Sequence, residues 1–155
     1  ANRYDSDMPR TNTEVLSEED VFSMGDGEVV PLHLPGHTSD GMGFHIPHLS
    51  TLIVGALLPR ADRPTRWDMP GGSLVEVVDS YKRMKRLNLS SIVPLQGPAI
   101  RGKSHVREVL DRHLAFYEEA VRNEGCPPAS WDRPASTAVW LTPRSPWPLE
   151  EQEAV

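Results

Sequence analysis

Cysteine and long apolar runs are almost absent from this chain of 155 residues. Its one cysteine, Cys126, excludes an internal disulfide framework and is typical of a reducing compartment. No apolar run approaches the ~20 residues that a membrane-spanning helix needs, so we expect no membrane partner. Residues 1–9 are polar and acidic, unlike a secretory signal. Together these absences predict a cytoplasmic protein.

An excess of basic residues and two familiar catalytic motifs are missing as well. The net charge of −6 makes nucleic acid an unexpected partner. We find no Gly-x-Ser-x-Gly elbow and no Cys-x-x-Cys. The charged fraction of 25% and the hydrophobic fraction of 38% are ordinary for one globular domain with its own core.

What the sequence does have is a central stretch with strand periodicity. Two of its three apolar runs, 29–34 and 42–46, flank a Pro-Gly turn that contains His37; the third is 51–54. A turn of this kind cannot pair as a strand, so it places His37 at a strand end. Binding and catalytic residues are common on such loops.

The same alternation predicts where the neighbouring histidines point. In the second run Met42, Phe44 and Ile46 share one face, and His45 lies on the other. We expect the apolar face to be buried and His33 and His45 to point outward. The spacing of these histidines matches no compact zinc motif.

Two helices and a further strand follow. Ser73 caps the first helix, predicted over 73–87, and Glu76 three residues later completes a capping box. The second helix is predicted over 104–121, and His113 lies on its apolar stripe, where a hydrogen-bonded core residue is expected. A strand over 89–95 lies between them. The sequence thus predicts an α/β fold in which one sheet is covered by two helices.

The motifs of three segments resemble the metallo-β-lactamase superfamily, in particular its glyoxalase-II-like branch. These segments are Pro35-Gly36-His37-Thr38 after the first strand, the stretch 65–72 with Arg66, Asp68 and Pro-Gly-Gly, and the late strand and turn over 92–100. The resemblance spans about 25–121 and implies a mixed sheet of the αββα type. It also implies that His37 binds a metal, Zn²⁺, and that Asp68 lies beside that metal in a catalytic role. A plainer alternative is that Arg66 and Asp68 pair only to hold the loop.

Other family positions depart from the pattern. The aspartate that bridges two metals in the family is replaced by Ala56, and the last metal-binding histidine by Gln96. The His-x-His-x-Asp-His motif is absent, since the first histidine of the chain is His33. The resemblance therefore implies a partial domain, the C-terminal half, which binds Zn²⁺ only in an assembled complex with a second metallo-β-lactamase-like subunit.

The composition divides the chain into three parts. Residues 1–27 are a polar N-terminal arm with one short edge strand, 28–124 form the family-like half, and 125–155 are a second arm rich in proline. This last arm contains Trp131, Trp140 and Trp147, large apolar anchors of the kind found at interfaces. It either binds a partner or packs on its own domain.

Three functions are consistent with these residues. The first is a subunit of a hetero-oligomeric hydrolase, in which a metal-activated water attacks an ester- or ether-type small molecule; a two-chain nitroaryl-ether hydrolase of this superfamily is one candidate. The second is a catalytically silent structural or regulatory partner of an active subunit. The third is a pseudoenzyme that binds a small ligand. Ala56 and Gln96 favour the last two, and the His37 turn and the loop around Asp68 favour the first.

Overall fold

The computed structural model describes residues 14–68, 70–126 and 128, which form one sheet and two helices. In chain order the elements are β1 (Phe22–Met24), β2 (Gly27–His33), β3 (Met42–Ile46), β4 (Thr51–Val54), α1 (Leu74–Arg86), β5 (Ser91–Val93), β6 (Ile100–Arg101) and α2 (Lys103–Arg122). A three-residue 3-10 helix, Pro47–Leu49, joins β3 to β4. No helix among the described residues is long and apolar enough to cross a membrane.

The predicted α/β class, a partial domain with one mixed sheet and two helices, is confirmed. The bounds of β3 and β4 agree with the prediction, and Ser73 caps α1 by accepting a hydrogen bond from the backbone N–H of Glu76 at 3.3 Å. The strand predicted over 89–95 is shorter, because only Ser91–Val93 pairs with β4 before Pro94. The two-residue β6 was not predicted, since so short a segment shows no periodicity.

The strand directions bring three loops to one edge of the sheet. The order is β1-β2-β3-β4-β5-β6, and every neighbouring pair is antiparallel except β4 and β5, which are parallel. β2, β4 and β5 therefore run in the same direction. The segments that follow them, 34–41, 55–72 and 94–99, leave the sheet at the same edge, which is the edge that carries the candidate site.

The two helices cover one face of the sheet, and the hydrophobic core lies between the helices and that face. Leu32, Leu52 and Ile92 point to this face and are buried against residues of α1 and α2, among them Tyr81 and Tyr117, both fully buried. Burial of this apolar area is the main contribution to the stability of the fold.

The opposite face is also apolar, although no described helix packs on it. The register places Pro31, Phe44, Ile53 and Val93 side by side across four strands. Ile53 is 41% exposed and Val93 is 38% exposed, Phe44 is half-buried, and Pro31 is buried. We call the row formed by Phe44, Ile53 and Val93 the open face. Neighbouring apolar side chains that remain partly exposed can mark interaction sites.

The prediction that His45 points outward was wrong. His45 lies opposite Leu52 and Val30, on the face that the helices cover, and burial lowers its pKa. Phe44 lies on the open face instead. The predicted alternation of side chains along β3 was right. However, both faces of the central strands carry apolar residues, so the more apolar face of β3 is not the face that the helices cover. His33 is exposed, as predicted.

Candidate metal-binding edge of the sheet

Packing against the start of α1 fixes the turn that carries His37. The N–H of Ser73 donates to the carbonyl of Gly36 at 2.9 Å, and the Ser80 hydroxyl donates to the carbonyl of Pro35 at 2.7 Å. Gly36 has a φ of +137°, which side chains rarely adopt, and its Cα faces Val77 directly. The turn and the helix therefore form one rigid unit that holds His37 beyond the end of β2.

The imidazole of His37 is tied to the long loop 55–72. Its Nδ1 lies 3.0 Å from the carbonyl oxygen of Arg66 and 3.1 Å from Oγ1 of Thr65. The same Oγ1 donates to the carbonyl oxygen of Ala56 at 2.7 Å. One buried hydroxyl thus joins the His37 turn to Ala56, the position where the resemblance implies a bridging aspartate. No hydrogen bond of His37 Nε2 lies within the part of the chain that the structure describes.

Asp68 is held by Arg66 in a two-pronged ion pair. Nε of Arg66 donates to Oδ1 at 2.8 Å and Nη2 to Oδ2 at 2.5 Å. These hydrogen bonds, with a smaller contribution from the nearby His37, hold the pKa of Asp68 below its ordinary value. The carboxylate is exposed and ionised, and the pairing is the one that the plainer sequence alternative described. A catalytic role for Asp68 stays a prediction.

The other two family positions add no metal ligand. Ala56 contributes only its backbone carbonyl, and the side chain of Gln96 is exposed while its N–H donates to the carbonyl of Pro59 at 2.8 Å. Among residues 14–68 and 70–126, no three His, Cys, Asp or Glu side chains are grouped as a metal site. A zinc site needs three or four ligands, so the described residues cannot complete one, and metal binding by His37 stays a prediction.

Sequence reasoning missed the residues that support His37. Thr65 is fully buried, and its backbone N–H donates to the hydroxyl of Tyr117 at 2.8 Å. Thr65 opens the family-like stretch 65–72, and Tyr117 belongs to the apolar stripe of α2. Neither position signals a polar contact from its local pattern, since 52 residues separate the two.

His113 occupies the core beneath this loop, as predicted. It is fully buried, stacked on Tyr81 with ring centroids 5.6 Å apart, and its Nε2 lies 2.9 Å from the carbonyl oxygen of Ala61. Burial lowers the pKa of His113 to about 4, although the hydrogen bond to Ala61 opposes the shift. The side chain is therefore neutral at physiological pH.

Acidification should destabilise the fold through His113. In an unfolded chain its pKa is ~6.5, so between that value and its folded pKa of about 4 only the unfolded chain takes up the proton. The stability that neutral His113 contributes is complete above pH ~6.5 and is lost as the pH falls toward ~4. Between pH ~7.5 and ~5 we expect a loss of about 2 kcal/mol in unfolding free energy, measured with urea. His113→Gln should lose most of this dependence, and an equal pH slope in the two proteins would contradict it.

Comparison with known proteins identifies the family. The family model described as the metallo-beta-lactamase superfamily matches residues 4–96, and so begins well before residue 25, where the sequence resemblance starts. An uncharacterized protein of Aquifex aeolicus (strain VF5) is 42% identical over 76 residues, which are 49% of this chain and 35% of that protein. The chain thus spans about a third of the length of this curated relative.

Solved structures show the same fold. A metallo-beta-lactamase family protein from Thermus thermophilus has a TM-score of 0.59 at 17% identity, covering 74% of this chain and 38% of that one. ETHE1 from Myxococcus xanthus has a TM-score of 0.54 at 18% identity, covering 72% of this chain and 52% of that one. The sec-alkylsulfatase Pisa1 from Pseudomonas sp. has a TM-score of 0.56 at 13% identity, covering 74% of this chain and 20% of that one. The match over residues 4–96 is more than half of the chain and shows that this chain belongs to the metallo-beta-lactamase superfamily.

Proposed function

We propose that this chain is one half of a metal-dependent hydrolase. His37 supplies one metal ligand, and a second metallo-β-lactamase-like subunit supplies the others from a His-x-His-x-Asp-His motif. The observation that carries the proposal is the placement of His37, which lies at the edge where β2, β4 and β5 end. The proposed substrates are small molecules with an ester or ether bond.

The open face supports the need for a second half. A sheet is stable when both of its apolar faces are covered, and here the described helices cover one. Phe44, Ile53 and Val93 form an apolar surface of the kind that packs on a second sheet. We propose that an apolar sheet face of the partner subunit covers it, which also brings the partner's ligands to the His37 edge.

A second candidate is a catalytically silent partner, structural or ligand-binding. The specific observation in its favour is that Ala56 and Gln96 stand where the family has metal ligands. In this case the same assembly forms, but every metal ligand belongs to the other subunit and His37 only borders the site.

Metal content of the assembled complex separates the two candidates. Tagged chains would be purified from the native host as wild type, His37→Ala and His48→Ala, the last as a matched control because His48 is exposed on the turn between β3 and β4. We expect the wild type and His48→Ala to carry zinc and to hydrolyse a chromogenic aryl ester. His37→Ala should assemble equally well, with the metal and the activity largely lost, because one ligand of the coordination sphere is missing.

Two outcomes would contradict the proposal. Unchanged metal content and turnover in His37→Ala would place the whole site in the partner and favour the silent role. Full metal content in a preparation with no second chain would show that two subunits are not required.

A further inference from the structure

We infer that Thr65 and Tyr117 are positioning residues that hold His37 in one tautomer, with the proton on Nδ1 and the lone pair on Nε2. A neutral imidazole binds a metal through the nitrogen that carries no proton, and the hydrogen bond at the other nitrogen decides which one that is. The role of the tautomer in metal binding rests on the proposed function; the tautomer itself follows from contacts within this chain.

The hydrogen-bond partners of His37 leave one placement for its proton. The carbonyl oxygen of Arg66, 3.0 Å from Nδ1, can only accept. The hydroxyl of Thr65, 3.1 Å from Nδ1, has a single proton, and that proton is directed to the carbonyl of Ala56 at 2.7 Å, since the carbonyl of Arg66 is farther away at 3.4 Å. Both neighbours of Nδ1 therefore act as acceptors. A proton on Nε2 instead would set the Nδ1 lone pair against two oxygen lone pairs.

The orientation of Thr65 is in turn fixed from the core. Its side chain has no exposed surface, and its N–H donates to Tyr117 Oη at 2.8 Å. That phenol lies 3.4 Å from Nδ1 of His113, whose Nε2 faces the carbonyl of Ala61 and so carries the proton. The hydroxyl of Tyr81 lies closer to the same Nδ1, at 3.2 Å, but it donates to the carbonyl of Leu57 at 2.9 Å; the Tyr117 hydroxyl has both His113 Nδ1 and the Tyr81 hydroxyl as hydrogen-bond partners.

The donors and acceptors along this series of contacts, from Tyr117 on α2 to His37, thus fit one placement of the protons. Each donor in it has an acceptor, and the loop residue at its centre is held on both sides, by Tyr117 and by Ala56. Satisfied buried networks of this type restrict side chains to a single arrangement. The consequence is that the metal-binding nitrogen of His37 is selected before any metal is present.

Long-range ¹⁵N–¹H NMR of the full 155-residue chain without metal tests the inference. Spectra would be taken about two units above the ordinary histidine pKa of ~6.5, where imidazoles are neutral. We expect His37 to show a protonated Nδ1 and a bare Nε2. His33 and His113 serve as internal references for the opposite tautomer, since their Nε2 atoms lie 2.7 and 2.9 Å from the carbonyls of Ser39 and Ala61.

Variants then test the positioning roles. Thr65→Val removes the hydroxyl and should shift the ratio of the two His37 tautomers about fivefold toward protonated Nε2, the change expected for one hydrogen bond of ~1 kcal/mol. Thr65→Ser keeps the hydroxyl and should restore the wild-type ratio. Tyr117→Phe leaves the Thr65 N–H unpaired and should shift the ratio in the same direction as Thr65→Val.

Some results would overturn the inference. A wild-type His37 protonated at Nε2 contradicts the tautomer outright, and this measurement needs no variant to fold. An unchanged ratio in Thr65→Val, with the His33 and His113 signals intact, contradicts the role of Thr65; should that variant not fold, an unchanged ratio in Tyr117→Phe decides in the same way. Because neither metal nor partner is used, failure here differs from failure of the proposed function.

Discussion

Replacing Gly36 by alanine should lower the free energy of unfolding by about 2–4 kcal/mol and displace His37 from its hydrogen bonds. A Cβ at this position would lie 2.5 Å from both Cγ2 and the backbone nitrogen of Val77, and the φ of +137° disfavours any side chain. Backbone atoms at the start of α1 cannot yield as a flexible side chain would. The turn must therefore move away from the helix, which breaks the hydrogen bond from Ser73 to Gly36 as well.

Gly55→Ala is the matched control for this prediction. Gly55 directly follows β4 at the same sheet edge, but an added Cβ there would meet only the carbonyl oxygen of Met42, at 3.7 Å. Urea unfolding would compare the two variants with the wild type, and the NMR signals of His37 would report the turn. If Gly36→Ala were as stable as Gly55→Ala with unchanged His37 signals, the close packing of the turn on α1 would be wrong.

Placing a charge on the open face should weaken association with the partner subunit at least about 100-fold, or about 2.7 kcal/mol. Ile53→Lys is the sharpest such change, because Ile53 lies between Phe44 and Val93 in the middle of the row. Buried in an interface, the ammonium group would lose its hydration without gaining a carboxylate. In the free chain the same side chain can reach water, so we expect little change in the stability of the fold itself.

Val75→Lys provides the comparison, since Val75 is 63% exposed on α1 and lies outside the open face. Sedimentation velocity of each variant mixed with the partner would measure the affinity, and urea unfolding of the variants alone would measure their stability. Equal affinity for Ile53→Lys and Val75→Lys would place the interface elsewhere. The predicted arm 125–155, whose tryptophans lie outside the described residues, would then be the next surface to test.

Local sequence patterns determined much of this fold. The period of two located β3 and β4 with the bounds that the structure has, and the Ser73 cap located the start of α1. The apolar stripe of α2 identified His113 as a core residue. The Pro-Gly turn placed His37 at a strand end. Each of these features depends on residues within a few positions of one another, so that steric and hydrogen-bond preferences of the local chain decide them.

Only the tertiary structure decided the contacts between distant residues. Alternation in β3 separates Phe44 from His45 but cannot say which faces the helices, because the covered face depends on how neighbouring strands and helices pack. Thr65 and His37 are 28 residues apart, and Thr65 and Tyr117 are 52 apart. Their hydrogen bonds exist because the parallel directions of β2 and β4 bring two loops to one edge while α2 packs beneath them. The identity of His37 as a candidate ligand was therefore a property of the sequence, and the proton on its Nδ1 a property of the fold.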